Sequence, residues 1–233
     1  MSKHTEYNSG WDNAYQQHLA AIEEGGPLAA LWQDPPIPYL QDRDILRLLR
    51  DHHVDTILEP GCGDGRNSRH LDRMGFHVTA VDISEAALLI ASRRAAQDGH
   101  NRIVHLQQDV SHLDFVGQSF DAVICADTLG QIEHPEYALG EFQRVLRPGG
   151  ILLFNLFTPS DSTCGVGEQI GPLDYMYKGT LFRFFTQEMV LQLMDGWKDV
   201  SIRQYPWLDP PHGDFRPEPH MHDSWVVTAF KPK

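Results

Sequence analysis

The sequence is poor in cysteine and in basic residues. Its three cysteines, Cys62, Cys125 and Cys164, lie far apart and form no CxxC pair. We therefore expect reduced thiols in a cytoplasmic protein rather than a disulfide framework. The chain has 19 Lys and Arg but 32 Asp and Glu, a net charge of −13. Because nucleic acids are bound through cations that displace phosphate counterions, this charge argues against DNA or RNA as a partner.

Long apolar stretches are also absent. No segment approaches the roughly 20 apolar residues of a membrane helix. The first ten residues, MSKHTEYNSG, lack the apolar core of a signal peptide. We therefore expect no membrane partner and a cytoplasmic location, and the sequence leaves the oligomeric state open. What the chain does have is 41% hydrophobic residues over 233 positions, enough for a sizeable folded core.

Short apolar strands alternate with amphipathic helices through the middle of the chain. Strands are predicted at 56–59, 77–82, 103–106, 120–125 and 151–157, and helices at 67–74, from Ser84 to about 98, and at 135–146. Two further helices, at 11–24 and 39–51, precede them, and Arg147 to Gly150 is predicted as a turn. Strand–helix–strand repeats of this length form right-handed crossovers and a parallel sheet with helices on both faces.

The last third of the chain departs from this alternation. Residues 158–180 are rich in Gly, Ser, Asp and Tyr without periodicity, which is typical of a lid or binding loop. A helix at 186–195 follows. Two strands, 199–206 and 224–231, then end the chain on either side of the Pro- and His-rich loop 207–222.

A glycine-rich turn, PGCGDG at 60–65, lies directly between the first strand and its helix. Glycine allows a sharp turn and a close approach of the backbone to a ligand. Open α/β sheets bind ligands at this edge, the carboxyl ends of the parallel strands. The spacing is GxGxG, because Arg66 stands where the dinucleotide fingerprint GxGxxG has its third glycine. An NAD(P)-dependent oxidoreductase is therefore the second hypothesis rather than the first.

Three acidic residues follow three successive strands: Glu59, Asp82 and Asp109. An acid at the end of the second strand can accept both hydroxyl protons of a ribose, and one after the third strand can receive an adenine amino group. Any one of them alone can equally be a helix cap or a solvated loop residue. All three together with the glycine turn favour a binding site.

These segments resemble the motifs of class I S-adenosylmethionine-dependent methyltransferases. ILEPGCGDGRN is similar to their first motif, AVDIS to the acidic second-strand motif and QQDV to the adenine motif. FDAVICADTLGQIEHPEYALGEFQRVLRPGGILLFNLF is similar to the stretch from the fourth to the fifth strand. The resemblance covers about 54–157. It implies a Rossmann-like, mostly parallel seven-stranded sheet with an antiparallel last strand and helices on both faces.

The resemblance also implies the cofactor, S-adenosyl-L-methionine, and its product, S-adenosyl-L-homocysteine. By position it places Glu59, Gly61, Gly63 and Ala126 at the methionyl part, Asp82 at the ribose, and Asp109 with Val110 at the adenine. Trp11, Tyr15, Arg66 and Ile83 complete the predicted cofactor-binding set. One domain is predicted, with a helical cap (1–51), a cofactor-binding core (52–157), and an acceptor-site lid with C-terminal strands (158–233).

One departure concerns the segment after the fourth strand. Members often have an LHHL-like pattern there, whereas this chain has Leu129-Gly130-Gln131-Ile132. A weaker resemblance, carried by GRNSRHL, CGVG, FRFFTQEMV and HMH, is to small-molecule methyltransferases of the tellurite-resistance and thiopurine type. It favours a small soft or heteroaromatic acceptor.

Aromatic residues near the N-terminus are spaced four apart: Tyr7, Trp11 and Tyr15. They form one stripe on a helix. Ordinary packing against the domain explains the stripe as well as a lid over the cofactor does. The lid hypothesis places Trp11 or Tyr15 at the pocket.

A cluster of His and Asp marks the C-terminal region: His212, Asp214, His220, His222 and Asp223. Three interpretations are open: a Zn²⁺ or similar site, a histidine that contacts substrate or accepts its proton, and a solvated loop. We predict His220 and His222 as catalytic residues without a metal. Asp127, Tyr175, Tyr177, Arg183 and His212 are the predicted substrate-binding residues. Arg183 could clamp an anionic acceptor or could be an ordinary surface arginine. Tyr175 and Tyr177 could form a wall of the acceptor site or could pack in the core.

The predicted reaction is methyl transfer to a small-molecule acceptor by in-line displacement. Positioning can supply roughly 7–11 kcal/mol of the barrier, so a histidine base is optional. A non-catalytic cofactor-binding module is the alternative from a different class, and nucleic-acid methylation is disfavoured by the charge.

Overall fold

The structure is a computed structural model that describes residues 9–31, 35–211 and 217–233. Tyr7, His212 and Asp214, which the sequence singled out, lie outside the described residues.

A seven-stranded sheet forms the centre of the fold. Its strands are β1 (Thr56–Pro60), β2 (His77–Asp82), β3 (Val104–Gln107), β4 (Phe120–Cys125), β5 (Leu146–Phe157), β9 (Lys198–Asp209) and β10 (His220–Phe230). They lie side by side in the order β3-β2-β1-β4-β5-β10-β9. The first five strands are parallel, and β10 is antiparallel to both β5 and β9. The predicted Rossmann-like sheet with an antiparallel last strand is confirmed.

Six helices surround the sheet in the described residues: α1 (Ser9–Glu23), α2 (Arg43–Asp51), α3 (Arg66–Arg73), α4 (Glu85–Gln97), α5 (Pro135–Val145) and α6 (Gln187–Leu193). The Ser84 hydroxyl accepts a hydrogen bond from the Ala87 N–H at 3.2 Å. This is the N-cap that the sequence predicts for α4, and it satisfies one of the unpaired donors of the first turn. In the residues that the structure describes, none of the helices combines the length and the apolar composition of a membrane span.

Two apolar clusters cover the two faces of the sheet. Alternate residues of β4 show this: Ala122 and Ile124 belong to one cluster, and Val123 and Cys125 to the other. Residues of α2, α3 and α4 join the first cluster, and residues of α5 and α6 join the second. Strands buried on both faces need continuous apolar sequences, which is why ILLFNLF forms the middle of the sheet.

The segment 158–180, predicted as an irregular lid, differs from the prediction. Three short strands, β6 (Glu168–Gln169), β7 (Asp174–Tyr177) and β8 (Thr180–Arg183), form a second, antiparallel sheet. Lys178 and Gly179, which join β7 to β8, both have positive φ, 50° and 76°. Two such residues make the tight hairpin turn whose twist matches that of the strands.

Three element boundaries also differ. Pro38–Gln41 forms a separate 3₁₀ turn, and α2 begins only at Arg43 because the Asp42 carboxylate caps it through the Asp44 N–H. Residues 147–150, predicted as a turn, belong to strand β5, which begins at Leu146 and shifts its register against β4 between Phe120 and Ala122. The strands β9 and β10 extend into the predicted loop 207–222, so that His220 and His222 lie on a strand.

Candidate cofactor and acceptor site

The glycine turn after β1 is fixed to the next strand by its backbone. The N–H groups of Gly61 and Cys62 both donate to the Val81 carbonyl, at 2.8 and 3.0 Å. Gly61 and Gly63 have φ of +72° and +53°, in the left-handed region that glycine adopts without strain. A Cβ at Gly61 would overlap the Thr128 hydroxyl. The sequence must therefore have glycine here, and the turn leaves bare backbone at one wall of a cleft.

Asp82 lies beside this turn at the end of β2. Its carboxylate accepts hydrogen bonds from the Gly63 N–H at 2.9 Å and the Ser84 N–H at 3.0 Å. Burial raises the pKa of Asp82, and these N–H groups act in the opposite direction. The carboxylate is thus oriented toward the cleft by the turn and by the start of α4, as a hydroxyl-binding group requires.

Glu59 lies beneath the turn and is 1% exposed. Burial raises its pKa to about 7, against hydrogen bonding from Ser68 and Asn67, which favours the charged form. Its Oε1 atom has no hydrogen-bond partner of normal geometry among the described residues. A buried carboxylate with a free oxygen is costly, and a cationic group placed above the turn would relieve that cost.

The end of the cleft beyond β3 carries Ile83, Asp109, Val110 and Ser111. The Asp109 carboxylate accepts from the Ser111 N–H at 2.8 Å, which fixes the loop after the strand. The structure therefore brings the predicted adenine-end residues to the same cleft as Asp82 and the glycine turn.

Helix α1 covers this cleft from above. Trp11 and Tyr15 line it, and the Tyr15 hydroxyl occupies the space that a Cβ at Gly63 would need. The Trp11 ring contacts Phe182 edge-on at 6.1 Å between centroids. Ser84 donates to the Asp12 carboxylate at 2.6 Å, which ties α1 to the start of α4. Both aromatic residues are where the lid hypothesis needs them.

A polar network supports the middle of the cleft. Arg66 and Asp127 form an ion pair at 3.0 Å. Asn155 donates to the Asp127 carboxylate at 2.7 Å and accepts from the Asp127 N–H at 2.8 Å. This bidentate contact holds Asp127 at a positive φ of 51°, a strained conformation that persists only where surroundings impose it. Ala126 and Asp127 both line the cleft.

The opposite end of the cleft is formed by β9 and β10, with Asp209, His220 and His222 in its wall. The His222 ring stacks on Phe157 with centroids 4.6 Å apart. Its Nδ1 lies 2.9 Å from the buried Asp161 carboxylate, and its Nε2 lies 3.1 Å from Nε2 of His220. Burial alone would raise the pKa of Asp161, but hydrogen bonds from His222, Thr163 and the Asp223 N–H together keep it below its ordinary value.

Three predicted substrate residues lie elsewhere. Arg183 pairs with Asp174 at 2.8 Å and donates to the Glu133 carbonyl at 2.9 Å. These contacts fix the second sheet to the segment after β4, and they engage the guanidinium that an anion clamp would use. Tyr175 and Tyr177 pack edge-on against Phe184 and Phe182. Among the described residues, the cleft lining does not include these three side chains.

Sequence reasoning missed Asp161 and Asp209, the two carboxylates nearest to His222. Asp161 is 61 residues away from it in sequence, in a segment without periodicity, and no local signal pointed to it. Asp209 was assigned to a loop. The pairing of Asp209 with His220 in the β9–β10 ladder is visible only when both strands are extended by three or four residues beyond their apolar cores.

The residues present fit the predicted cofactor. One cleft contains bare glycine backbone, the Asp82 carboxylate with its fixed orientation, and Asp109. Beneath it lies Glu59 with an unsatisfied oxygen. These groups suit an amino-acid tail, a ribose and an adenine in that order along the strand ends, as in the crevice of other doubly wound sheets.

The fold is Rossmann-like, and the cleft at its strand ends has the groups that a nucleoside ligand needs. Residues 58–154 match the family model described as "Methyltransferase domain". Over this segment, somewhat less than half of its length, the chain is therefore similar to methyltransferase domains, as its sequence motifs predict. The tellurite- and thiopurine-type resemblance stays a prediction.

Two of the relatives that the chain resembles are methyltransferases. Over 106 residues, 45% of this chain, it is 39% identical to a demethylmenaquinone methyltransferase of Clavibacter sepedonicus and spans only 42% of that protein's length. It is 25% identical over 226 residues to a ubiquinone biosynthesis O-methyltransferase of Idiomarina loihiensis, covering 91% of this chain and 93% of the relative.

A solved structure with the same fold is the 1,6-didemethyltoxoflavin-N1-methyltransferase of Burkholderia thailandensis, which was determined with 1,6-didemethyltoxoflavin and S-adenosylhomocysteine bound. Its TM-score is 0.62 at 19% identity, and the alignment covers 100% of this chain and 92% of that one. This level of identity is evidence for the shared fold alone.

Proposed function

We propose that the protein transfers the methyl group of S-adenosylmethionine to a small-molecule acceptor. The observation that carries the proposal is a single cleft with two chemically different ends. One end has the glycine turn, Asp82 and Asp109, and the other has Phe157 and the His220–His222 pair. A donor and an acceptor bound at these ends would meet near Ala126.

The acceptor end favours a planar, partly apolar molecule. Phe157 and Phe182 supply ring surfaces there, and Trp11 closes the space from α1. Aromatic side chains of this kind bind rings by stacking and by edge contacts. The names of the relatives, which refer to menaquinone, ubiquinone and toxoflavin chemistry, are consistent with such an acceptor.

Positioning is the main contribution that we assign to the protein. The cofactor supplies a methyl group that its sulfonium has already activated. Asp82 and the glycine turn would hold the donor, and the aromatic wall would hold the acceptor, in a cleft that α1 closes to water. Fixed orientation of this kind supplies roughly 7–11 kcal/mol of a barrier.

We assign removal of an acceptor proton to the histidine wall. With Asp161 accepting from Nδ1, His222 presents Nε2 to the cleft as a proton acceptor. A general base of this kind contributes about 10²- to 10⁴-fold when the acceptor has a proton to lose. For an acceptor that is already a free nucleophile, this residue adds nothing and positioning suffices.

Cofactor binding tests the donor end. In calorimetry, the Asp82→Asn variant should bind S-adenosylhomocysteine roughly 10- to 100-fold more weakly than the unaltered protein, because a hydrogen bond to a charged group is worth about 1.5–3 kcal/mol. The matched control is Asp114→Asn, an exposed acid outside the cleft lining, which should leave the affinity unchanged. Equal affinity in all three proteins contradicts the assignment.

Turnover tests the acceptor end. Small phenols, quinols, thiols and heteroaromatic amines would be incubated with S-adenosylmethionine, and release of S-adenosylhomocysteine measured. We expect acceptor-dependent release that the Asp82→Asn variant lacks. Tight cofactor binding without release for any acceptor would instead indicate a non-catalytic cofactor-binding module.

A further inference from the structure

The wall formed by β9 and β10 has the spacing of a metal site. One nitrogen or oxygen atom from each of Asp209, His220 and His222 lies within 4.8 Å of the other two. The two Nε2 atoms are 3.1 Å apart, and His222 Nε2 is 3.5 Å from Asp209 Oδ2. Two ligands at about 2.0–2.1 Å from a tetrahedral Zn²⁺ lie about 3.3 Å from each other. The observed separations bracket that value.

Hydrogen-bond partners fix the protons on both imidazole rings. His220 Nδ1 lies 3.1 Å from the Glu218 carbonyl, which can only accept. His222 Nδ1 lies 2.9 Å from Asp161 Oδ2, which also accepts from the Asp223 N–H. Each neutral ring therefore carries its proton on Nδ1 and has a lone pair on Nε2. The two Nε2 atoms, 3.1 Å apart and beside the Asp209 carboxylate, are thus placed so that one cation can bind to all three groups.

Each of the three side chains also has an outer partner that orients it. Asp161 and the Glu218 carbonyl hold the histidines, and the Trp207 indole N–H donates to Asp209 Oδ1 at 2.9 Å. Metal-binding histidines almost always donate their other nitrogen to a carboxylate or a carbonyl, which fixes the ring and makes it a better ligand. All three side chains of the wall therefore have an outer hydrogen-bond partner.

We propose that Asp209, His220 and His222 bind one divalent transition-metal ion, for which Zn²⁺ is the reference, at the acceptor end of the cleft. Two imidazoles and one carboxylate are a donor set that suits Zn²⁺ and its neighbours in the first transition series. Three protein ligands leave a coordination position open, as catalytic zinc sites do. All three residues line the cleft, so that position is accessible to the acceptor.

The metal would also help to deprotonate the acceptor. This role rests on the methyl transfer proposed above. An acceptor hydroxyl or thiol that coordinates the ion loses its proton to water and keeps the electron pair, since a bound cation lowers the pKa of such a group. A coordinated Nε2 cannot accept a proton, so in the metal-loaded protein His222 would be a ligand. Proton loss at the bound acceptor would then replace the base role that we assign to His222 in the metal-free cleft.

Cobalt titration of the chelator-treated full chain tests the site without relying on turnover. We expect one equivalent of Co²⁺ to bind, with the visible absorption bands of a tetrahedral ion, and Zn²⁺ to displace it. Asp209→Asn and His220→Asn should each abolish the bands. Asp161→Asn, which alters only the outer layer, should weaken binding about 10- to 100-fold. His77→Asn is the matched control, because His77 forms an exposed His–Asp pair with Asp55, and it should bind as the unaltered chain does.

The decisive result is the stoichiometry at neutral pH. Fewer than one bound ion per chain, or binding that Asp209→Asn and His220→Asn leave intact, overturns the proposal. A proton shared by the two imidazole rings would then explain why their Nε2 atoms lie so close together. Calorimetry with S-adenosylhomocysteine on each variant shows that it is folded. The proposed function fails separately, through loss of acceptor-dependent turnover in metal-loaded protein whose cobalt spectrum is normal.

Discussion

Glu59 is the residue whose burial is hardest to explain without a ligand. It is almost fully enclosed, one oxygen lacks a partner among the described residues, and its pKa is raised to about 7. Since the pKa of an unfolded glutamate is near 4.3, the contribution of Glu59 to the stability of the cofactor-free protein is lost as pH rises from about 4.3 to about 7. A cationic amino group bound above the turn reverses this preference, because it favours the carboxylate.

Cofactor affinity should consequently depend on pH through Glu59. Between about pH 6 and 8 we expect affinity for S-adenosylhomocysteine to rise with pH more steeply in the unaltered protein than in Glu59→Gln, by up to about tenfold per unit below the pKa of Glu59. The amino group of the ligand titrates equally in both experiments, so the difference between the two calorimetric profiles isolates Glu59. Parallel profiles would show that this carboxylate does not sense the ligand.

At the residue scale, the sequence was enough to place the residues around the glycine turn, but it placed those of the β9–β10 wall only in part. Gly61, Gly63 and Asp82 lie within one or two residues of strand ends, and such positions are fixed once the strands are recognised. For Arg183 the sequence left two interpretations open, because its partner, Asp174, lies across a hairpin that the sequence did not reveal. Asp161 was missed because the contact with His222 depends on the path of a whole loop.

Among the elements, α1 has the contact pattern of a cover over the cofactor. It touches the glycine turn through Tyr15, the start of α4 through Asp12, and the second sheet through Trp11. Packing alone would explain the first two contacts. The presence of Trp11 in the cleft lining is what favours the lid.

Truncating Trp11 tests the lid. We expect Trp11→Ala to weaken cofactor binding about tenfold, because the side chain closes the cleft and its removal exposes the bound ligand to water, while Trp11→Phe retains most of the affinity. Gln17→Ala, at an exposed position of the same helix, serves as the control. Unchanged affinity in Trp11→Ala, measured by calorimetry, would reduce α1 to ordinary packing.

The strands and helices of 56–157 were predictable because their apolar runs and caps are local. The second sheet was not, since its strands have only two to four residues, too few to show a period of two. The ends of β9 and β10 escaped prediction for a related reason. The residues that extend β9 (207–209) and those that begin β10 (220–223) mix apolar and polar side chains, and they pair across the ladder with each other.

For the whole molecule, the cleft links both halves of the sheet and α1, so ligand binding should raise global stability. At a concentration of S-adenosylhomocysteine 100 times its dissociation constant, linkage predicts about 2.7 kcal/mol. For a chain of this size that corresponds to a rise in Tm of roughly 5–10 °C. Calorimetric scanning should find this rise in the unaltered protein and a much smaller one in Asp82→Asn at the same ligand concentration. A similar rise in both would point to binding outside the cleft.

The strand order places the two ends of the cleft on separate halves of one sheet. β3, β2 and β1 are followed by the acids at the proposed donor end, whereas β10 and β9 carry Asp209 and the two histidines and join the sheet only beyond β5. Exchanging the C-terminal hairpin for that of a related protein is therefore expected to leave the proposed donor pocket intact. New acceptors can be acquired by replacing one module while the chemistry of the other stays the same.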